Sequence, residues 1–264
     1  MLKEIWTKRK MILDLAKADF KKRFAGSYFG VLWMFIQPVV TVLVFFFIFQ
    51  LGMKSQPPVP DTPYVIWLIP GLVPWFFFSE SLTTQTSVMQ EYSYLVKKVV
   101  FPVELLPVIK MLSAAMVHAC FAAIMLIVFL IAGRTPQISW AFIVYYSFCD
   151  ACLSLALGMI TSCVYVFFRD MMNIVGIILQ FGMWLAPIMY WEGIFTEKHP
   201  WMEILFKMNP FYYIAAGYRD SMLTGTFPWN RPWNTVYFWL FTAALFFFGE
   251  RLFRKLRPHF SDVL

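Results

Sequence analysis

Residues 31–53 run for 23 positions without a charge, and uncharged runs of similar length recur along the chain. About 20 apolar residues in helix span the roughly 30 Å of a bilayer's hydrocarbon core. Backbone donors and acceptors cannot go unpaired in hydrocarbon, which leaves helices or closed barrels as the only spanning structures. The runs are continuous and lack the alternation of barrel strands, so the expected class is an all-α integral membrane bundle. Composition agrees: 60% of residues are hydrophobic and 14% charged, against about 25% charged in soluble domains.

Six spans are expected, over residues 31–53, 62–81, 105–133, 140–168, 171–191 and 232–250, in one transmembrane domain covering residues 1–264. Residues 192–231 form an exterior region and residues 251–264 a tail. The first 23 residues carry eight Lys/Arg and three acids. They lack the apolar stretch of about 7 to 15 residues that a secretory signal needs, so a retained amino terminus is expected. An even number of spans puts both termini on one side. Sixteen of the 22 Lys and Arg fall on that side, which the positive-inside rule assigns to the cytoplasm. The net charge of +7 thus flanks membrane spans and needs no nucleic acid as partner.

Within residues 1–24, Leu2, Ile5, Trp6, Ile12, Leu13, Ala16, Phe20 and Phe24 recur every three to four residues, with lysines largely between them. This spacing predicts an interfacial helix whose apolar face sinks into the inner leaflet while its lysines meet anionic lipid. Pro38 in the first span, Pro70, Gly71 and Pro74 in the second and Pro187 in the fifth predict irregular helices, as tolerated kinks or as hinges.

The connection over residues 82–102 holds Val88, Met89, Tyr92, Leu95 and Val96 at helical spacing before Lys97 and Lys98, as a helix docking into another protein's groove would. In the next cytoplasmic connection Arg169 and Asp170 stand alone, and Asp170 is expected to cap the fifth helix. The exterior region has two apolar pieces, residues 201–208 and 211–223, split by Asn209 and Pro210. Both are too short to cross, so re-entrant helices are expected. Tyr190, Trp191, Trp201, Phe211, Tyr212, Tyr213, Tyr218, Trp229 and Trp233 crowd this region, as an interfacial belt or as an exit that stacks on sugars.

His118 and Asp150 lie inside spans at similar depth and could pair, as a structural contact, an ion relay or pathway lining. Cys120, Cys149, Cys152 and Cys163 sit in apolar runs and read as core filler, because the one CxxC has no second ligand pair. No metal or cofactor site is expected. The chain contains no GxxxxGK[ST] phosphate loop, so energy for any active transport must arrive through a partner.

Several motifs occur in a telling order. Gly30, Val31, Leu32 and Trp33 precede Gln37 and Pro38; Gly71 precedes Trp75, Phe76 and Phe77; Lys98, Val99, Val100, Phe101 and Pro102 precede the third span. Phe168, Arg169 and Asp170 follow the fourth, then Asn209, Pro210, Phe211 and Tyr212, then Tyr218 and Arg219, and the chain ends Arg257, Pro258, His259, Phe260, Ser261, Asp262, Val263, Leu264. Over nearly the whole chain this resembles the membrane subunits of type-2 ABC exporters of lipid-linked polysaccharides, most closely the teichoic-acid permeases, with capsule and O-antigen permeases as the alternative.

The resemblance implies a non-enzymatic permease of the bacterial plasma membrane. Two copies would pair with two separate ATPase subunits, which hold ATP and Mg, and would move a lipid-linked polysaccharide among membrane lipids. It implies an ATPase-coupling surface at Tyr92, Tyr94, Leu95, Lys97, Lys98, Arg169 and Asp170. Pathway and exit candidates are Trp33, Trp75, Phe76, Tyr190, Trp191, Phe211, Tyr212, Tyr213, Tyr218 and Arg219. Two rival classes are weaker. An ion-coupled transporter has only His118 and Asp150 to work with, and a membrane lipid-sugar enzyme would need clustered groups, whereas His118, His199 and His259 fall at three different levels.

Overall fold

The computed structural model describes residues 2–24, 28–55, 57–97 and 101–263, and regular structure among them is helical. Helices α1 (Leu2–Thr7) and α2 (Arg9–Phe24) precede α3 (Trp33–Phe45), which a 3-10 turn and a π turn extend to Gly30–Gly52. Next come α4 (Tyr64–Thr86), the one-turn helices α5 (Val88–Glu91) and α6 (Ser93–Val96), α7 (Leu106–Ile131), α8 (Phe142–Phe167) and α9 (Met171–Leu185). Three short helices, α10 (Gly193–Thr196), α11 (Trp201–Met208) and α12 (Pro210–Arg219), lead to α13 (Pro232–Leu256) and α14 (Phe260–Val263).

Five helical stretches are long and apolar enough to cross a bilayer: Gly30–Gly52, Tyr64–Thr86, Val103–Ile131, Ile138–Phe167 and Pro232–His259. They coincide with five of the six expected spans, and α4 runs five residues past its expected end at Ser81. The expected fifth span, residues 171–191, is not among them. α9 stops at Leu185 after 15 residues, about 22 Å of helix. Pro187 lies in the turn that follows and does not bend the helix. Pro70 and Pro74 likewise do not interrupt α4, which stays continuous through both because packed neighbours enclose it.

Two apolar clusters divide the bundle along its length. The distal one surrounds α4, where Leu68 and Leu72 meet Phe129 of α7, Tyr146 and Leu153 of α8, Phe211 and Tyr218 of α12 and Phe238 of α13. The basal one joins Ile12 and Ala16 of α2 to Val88 and Met89 of α5, Ile109 of α7, Cys163 of α8, Phe253 of α13 and Phe260 of α14. Residues from both ends of the chain share this cluster, so both termini lie at the basal end. α9 therefore carries the chain back from the basal end of α8 towards the distal end. By contrast α3 stands apart, with only Phe49 of its extended stretch buried.

Local signals explain several boundaries. Gly133, at φ 76°, lets Arg134 N–H reach the Phe129 carbonyl at 3.0 Å and so closes α7. Asn209 Oδ1 accepts from Phe211 N–H at 3.0 Å, with Pro210 in the first turn, and starts α12. The expected Asp170 cap is absent. Asp170 stands at the start of α9, but its backbone is already helical at φ −67°, ψ −9°, and its side chain makes no capping bond.

The interfacial helix is also revised. Ile12, Ala16 and Asp19 form one buried stripe of α2 against α7, while Trp6 is 73% exposed and Leu13 points outward. The apolar residues expected on one lipid face thus divide between the bundle and the surroundings. The side chains of Leu2, Ile5 and Phe24 lie outside the described residues.

Candidate functional site: a lateral groove and a buried ion-pair cluster

Because α3 stands off the bundle, a groove of about 720 Å³ opens between it and α4 and α7. Trp33, Gln37 and Thr41 line it from α3, Phe76, Phe77, Ser79 and Glu80 from α4, and His118 and Phe121 from α7. Arg23 of α2 reaches its basal end and pairs with Glu80. Phe121 contacts both Phe35 and Phe76, with ring centroids at 5.6 and 6.2 Å. Aromatic faces beside an amide, hydroxyls and an ion pair make a surface that can stack on a sugar ring and hydrogen-bond its hydroxyls.

Of the expected pathway residues, Trp33 and Phe76 line this groove. The others lie elsewhere. Trp75 is buried on another side of α4, edge-on to Phe211 at 5.0 Å. Tyr190 and Trp191 line a separate 300 Å³ cavity beside Tyr64 and Trp184, and Tyr190 OH donates to the Trp184 carbonyl at 2.6 Å. Phe211, Tyr212, Tyr213 and Tyr218 are buried, three of them through specific partners. Tyr212 OH donates to Glu192 at 2.7 Å, Tyr213 OH meets Thr235 at 2.9 Å, and Tyr218 OH meets His118 at 2.9 Å. These rings are packing elements of the distal core.

Arg219 has a structural role that its place in a connection did not reveal. Its guanidinium lies 3.7 Å over the Trp67 ring and donates to the carbonyls of Trp67 at 3.4 Å, Pro187 at 2.9 Å and Ile188. Gly71 makes room, since a Cβ there would fall 2.9 Å from the guanidinium. One side chain thus ties α12 to α4 and to the turn after α9.

His118 and Asp150, which by depth could pair, do not meet. His118 Nε2 is taken by Ser147 Oγ at 3.0 Å and by Tyr218 OH, because α8 presents Ser147 at the level of His118. Both carboxyl oxygens of Asp150 are buried without a hydrogen-bond partner.

At the basal end the expected coupling residues separate. Tyr94, Lys97, Arg169 and Asp170 are exposed, Leu95 is half-buried and Tyr92 is buried. Lys98, with Val99 and Val100, lies outside the described residues. Val88, Met89 and Val96, expected to face another protein, pack into the basal cluster of this chain because α5 folds back onto α7 and α8, with α6 following it. Among the described residues of this connection, Tyr94 and Lys97 point outward from the bundle.

Beneath it sits a cluster that the sequence did not disclose. Lys110 Nζ of α7, a buried lysine, contacts Asp19 of α2 and Glu91 of α5, each at 2.7 Å. Tyr92 OH donates to the same Asp19 oxygen at 2.6 Å. Burial by itself would raise the Asp19 pKa, but hydrogen bonds from Lys110 and Tyr92, with the Lys110 charge, hold it below its ordinary value. The available signal was a lysine four residues inside an apolar helix, together with acids in two flanking amphipathic segments.

The match to the model of the ABC-2 type transporter family covers residues 12–223. The O-antigen export system permease protein RfbA of Klebsiella pneumoniae is 26% identical over 256 residues, 96% of this chain and 95% of that protein. RfbA of Myxococcus xanthus is 23% identical over 266 residues, 100% of this chain and 99% of its own length. The polysialic acid transport protein KpsM of Escherichia coli is 23% identical over 245 residues, 89% of each chain. A family match over most of the length, on a bundle with five apolar stretches able to cross a bilayer, places the function in a membrane: the chain belongs to the ABC-2 type transporter family.

Proposed function

We propose that this chain is the permease subunit of an ATP-driven exporter of a lipid-linked polysaccharide of the O-antigen or capsule type. The supporting observation is that its relatives align almost end to end and carry two different polysaccharide cargoes in their names. These names favour the O-antigen or capsule alternative over the teichoic acid suggested by the first motifs. The groove lined by Trp33, Gln37, Phe76 and Glu80 supplies fitting chemistry, because stacking tolerates varied sugar sequence while an amide and an ion pair meet hydroxyls.

In this reading α9 and the turn after it make the sixth crossing, and α11 and α12 are the re-entrant exterior helices. Both termini face the cytoplasm of a bacterial cell, following the basic residues. Two copies form the path, since one bundle encloses no channel wide enough for a polymer. Two ATPase subunits carrying ATP and Mg dock at the outer side of α5 and α6 and near Arg169. Their closure pulls on the basal cluster.

The test is ATP hydrolysis by the complex in proteoliposomes. Polyprenyl-linked O-antigen or capsule chains are expected to stimulate turnover several-fold, and Trp33→Ala to remove most of the stimulation while leaving basal hydrolysis intact. Stimulation by teichoic-acid chains alone would return the cargo to the first expectation. No response to any lipid-linked glycan would reject the reading.

A further inference from the structure

α8 carries Ser147, Asp150, Ser154, Gly158 and Thr161 at spacings of three and four, which places them on one side of the helix. That side meets α4. Ser81 Oγ donates to Ser154 Oγ at 3.2 Å, Gln85 Nε2 donates to Ser81 Oγ at 2.7 Å, and Thr86 Oγ1 donates to Thr161 Oγ1 at 2.8 Å. Gly158 lies so close to the Gln85 side chain that no Cβ fits there. Ser81, Gln85, Thr86, Asp150, Ser154 and Thr161 are all buried. A polar seam therefore runs inside a bundle whose other helix contacts are largely apolar.

Two properties distinguish this seam from ordinary polar glue between membrane helices. First, three of its hydroxyls have acceptors within their own helices. Ser154 donates to the Ala151 carbonyl at 3.1 Å, and Thr86 Oγ1 and Thr161 Oγ1, which share one proton between them across the seam, lie 2.8 Å from the Leu82 carbonyl and 3.3 Å from the Gly158 carbonyl. Parting the helices would leave each of these hydroxyls an acceptor in its own helix. Second, closure of the seam leaves polar atoms without partners: both oxygens of the fully buried Asp150, and Oε1 of Gln85. Each carries a desolvation penalty that water entering the seam would remove. The closed state is thus penalised, and the open state sacrifices the cross-helix bonds together with the apolar contacts that α4 makes with α8 around Tyr146 and Leu153.

We infer that the α4–α8 seam is a moving joint, which opens during the transport cycle and admits water to Asp150 and Gln85. The cycle is the one proposed above; the joint itself rests on the hydrogen-bond pattern. Two measurements test it on the full complex with its ATPase. In the first, the unaltered chain is treated with a water-soluble carbodiimide and an amine, and modification of Asp150 is read by mass spectrometry. Labelling is expected to be several-fold greater during ATP turnover than without nucleotide.

In the second, Ser81→Cys and Ser154→Cys are combined in a chain whose four native cysteines are alanine, and the pair is oxidised to a disulfide. Export is expected to stop, and to return on reduction with dithiothreitol. Equal labelling of Asp150 in both states, or undiminished export with the seam cross-linked, would overturn the joint. A complex that hydrolyses ATP yet moves no glycolipid would instead count against the functional reading, while the labelling would still report on the seam.

Discussion

Arg219→Met is expected to lower the stability of the bundle by about 2 kcal/mol or more, since two backbone carbonyls of the turn after α9 lose a donor and an unpaired buried carbonyl costs roughly 1–3 kcal/mol. Those carbonyls belong to Pro187 and Ile188, so the loss falls where α4, α12 and the turn after α9 meet. Arg219→Lys keeps the charge but not the planar fork or its stacking on Trp67, and should recover little. Thermal unfolding in detergent, followed by tryptophan fluorescence, reads the effect directly through Trp67 and its neighbours. A midpoint within error of the parent for Arg219→Met would remove the clamp from this account.

The second large effect is expected at Lys110. Lys110→Met leaves the buried Asp19 without its cation and Glu91 with only Lys22, at 3.5 Å, and breaking a buried ion pair such as that of Asp19 costs roughly 3–5 kcal/mol. Adding Asp19→Asn to Lys110→Met should restore part of that loss, because the buried uncompensated charge is then gone. The pH dependence has a definite sign. The folded-state pKa of Asp19 is depressed, so its contribution is complete above the unfolded carboxylate pKa and disappears as pH falls through the lowered value. The gap between parent and Lys110→Met should therefore be full at neutral pH and shrink in acid. A gap independent of pH would show that the cluster contributes through packing alone.

Much of the fold was legible because a bilayer imposes a simple rule. Uncharged runs about 20 residues long must be helices, and five of them appear where the sequence places them. The break at Asn209 and Pro210 was equally readable, since an amide cap and a proline in the first turn act locally. What was less legible depended on contacts between distant segments. Residues 171–191 read as one apolar run, of which α9 covers Met171–Leu185, while Ala186, Ile188 and Met189 lie in a turn packed in the distal cluster. Val88, Met89 and Val96 had the periodicity of a docking helix, and periodicity alone does not say whether the groove belongs to a partner or to the same chain.

The functional residues were less legible for the same reason. Trp33 and Phe76 meet across a groove that exists only because α3 stands away from α4, a property of packing and not of composition. The aromatic crowd over residues 190–233 suggested an interfacial belt or an exit, and Phe211, Tyr213 and Tyr218 from that crowd lie in the distal core. The polar row on α8 was visible as spacing, and its meaning required the facing row on α4.

The central claim is that this bundle has no motor of its own and moves its cargo only when an ATPase acts on its basal end. The most direct measurement is transfer of a polyprenyl-linked polysaccharide across proteoliposome membranes, read by a lectin on the trans side. Vesicles holding this chain alone are compared with vesicles that also hold the ATPase, each with and without ATP and with and without an imposed proton gradient. The account predicts transfer only when chain, ATPase and ATP are all present, unaffected by collapse of the gradient. Transfer by the chain alone, driven by the gradient, would contradict it.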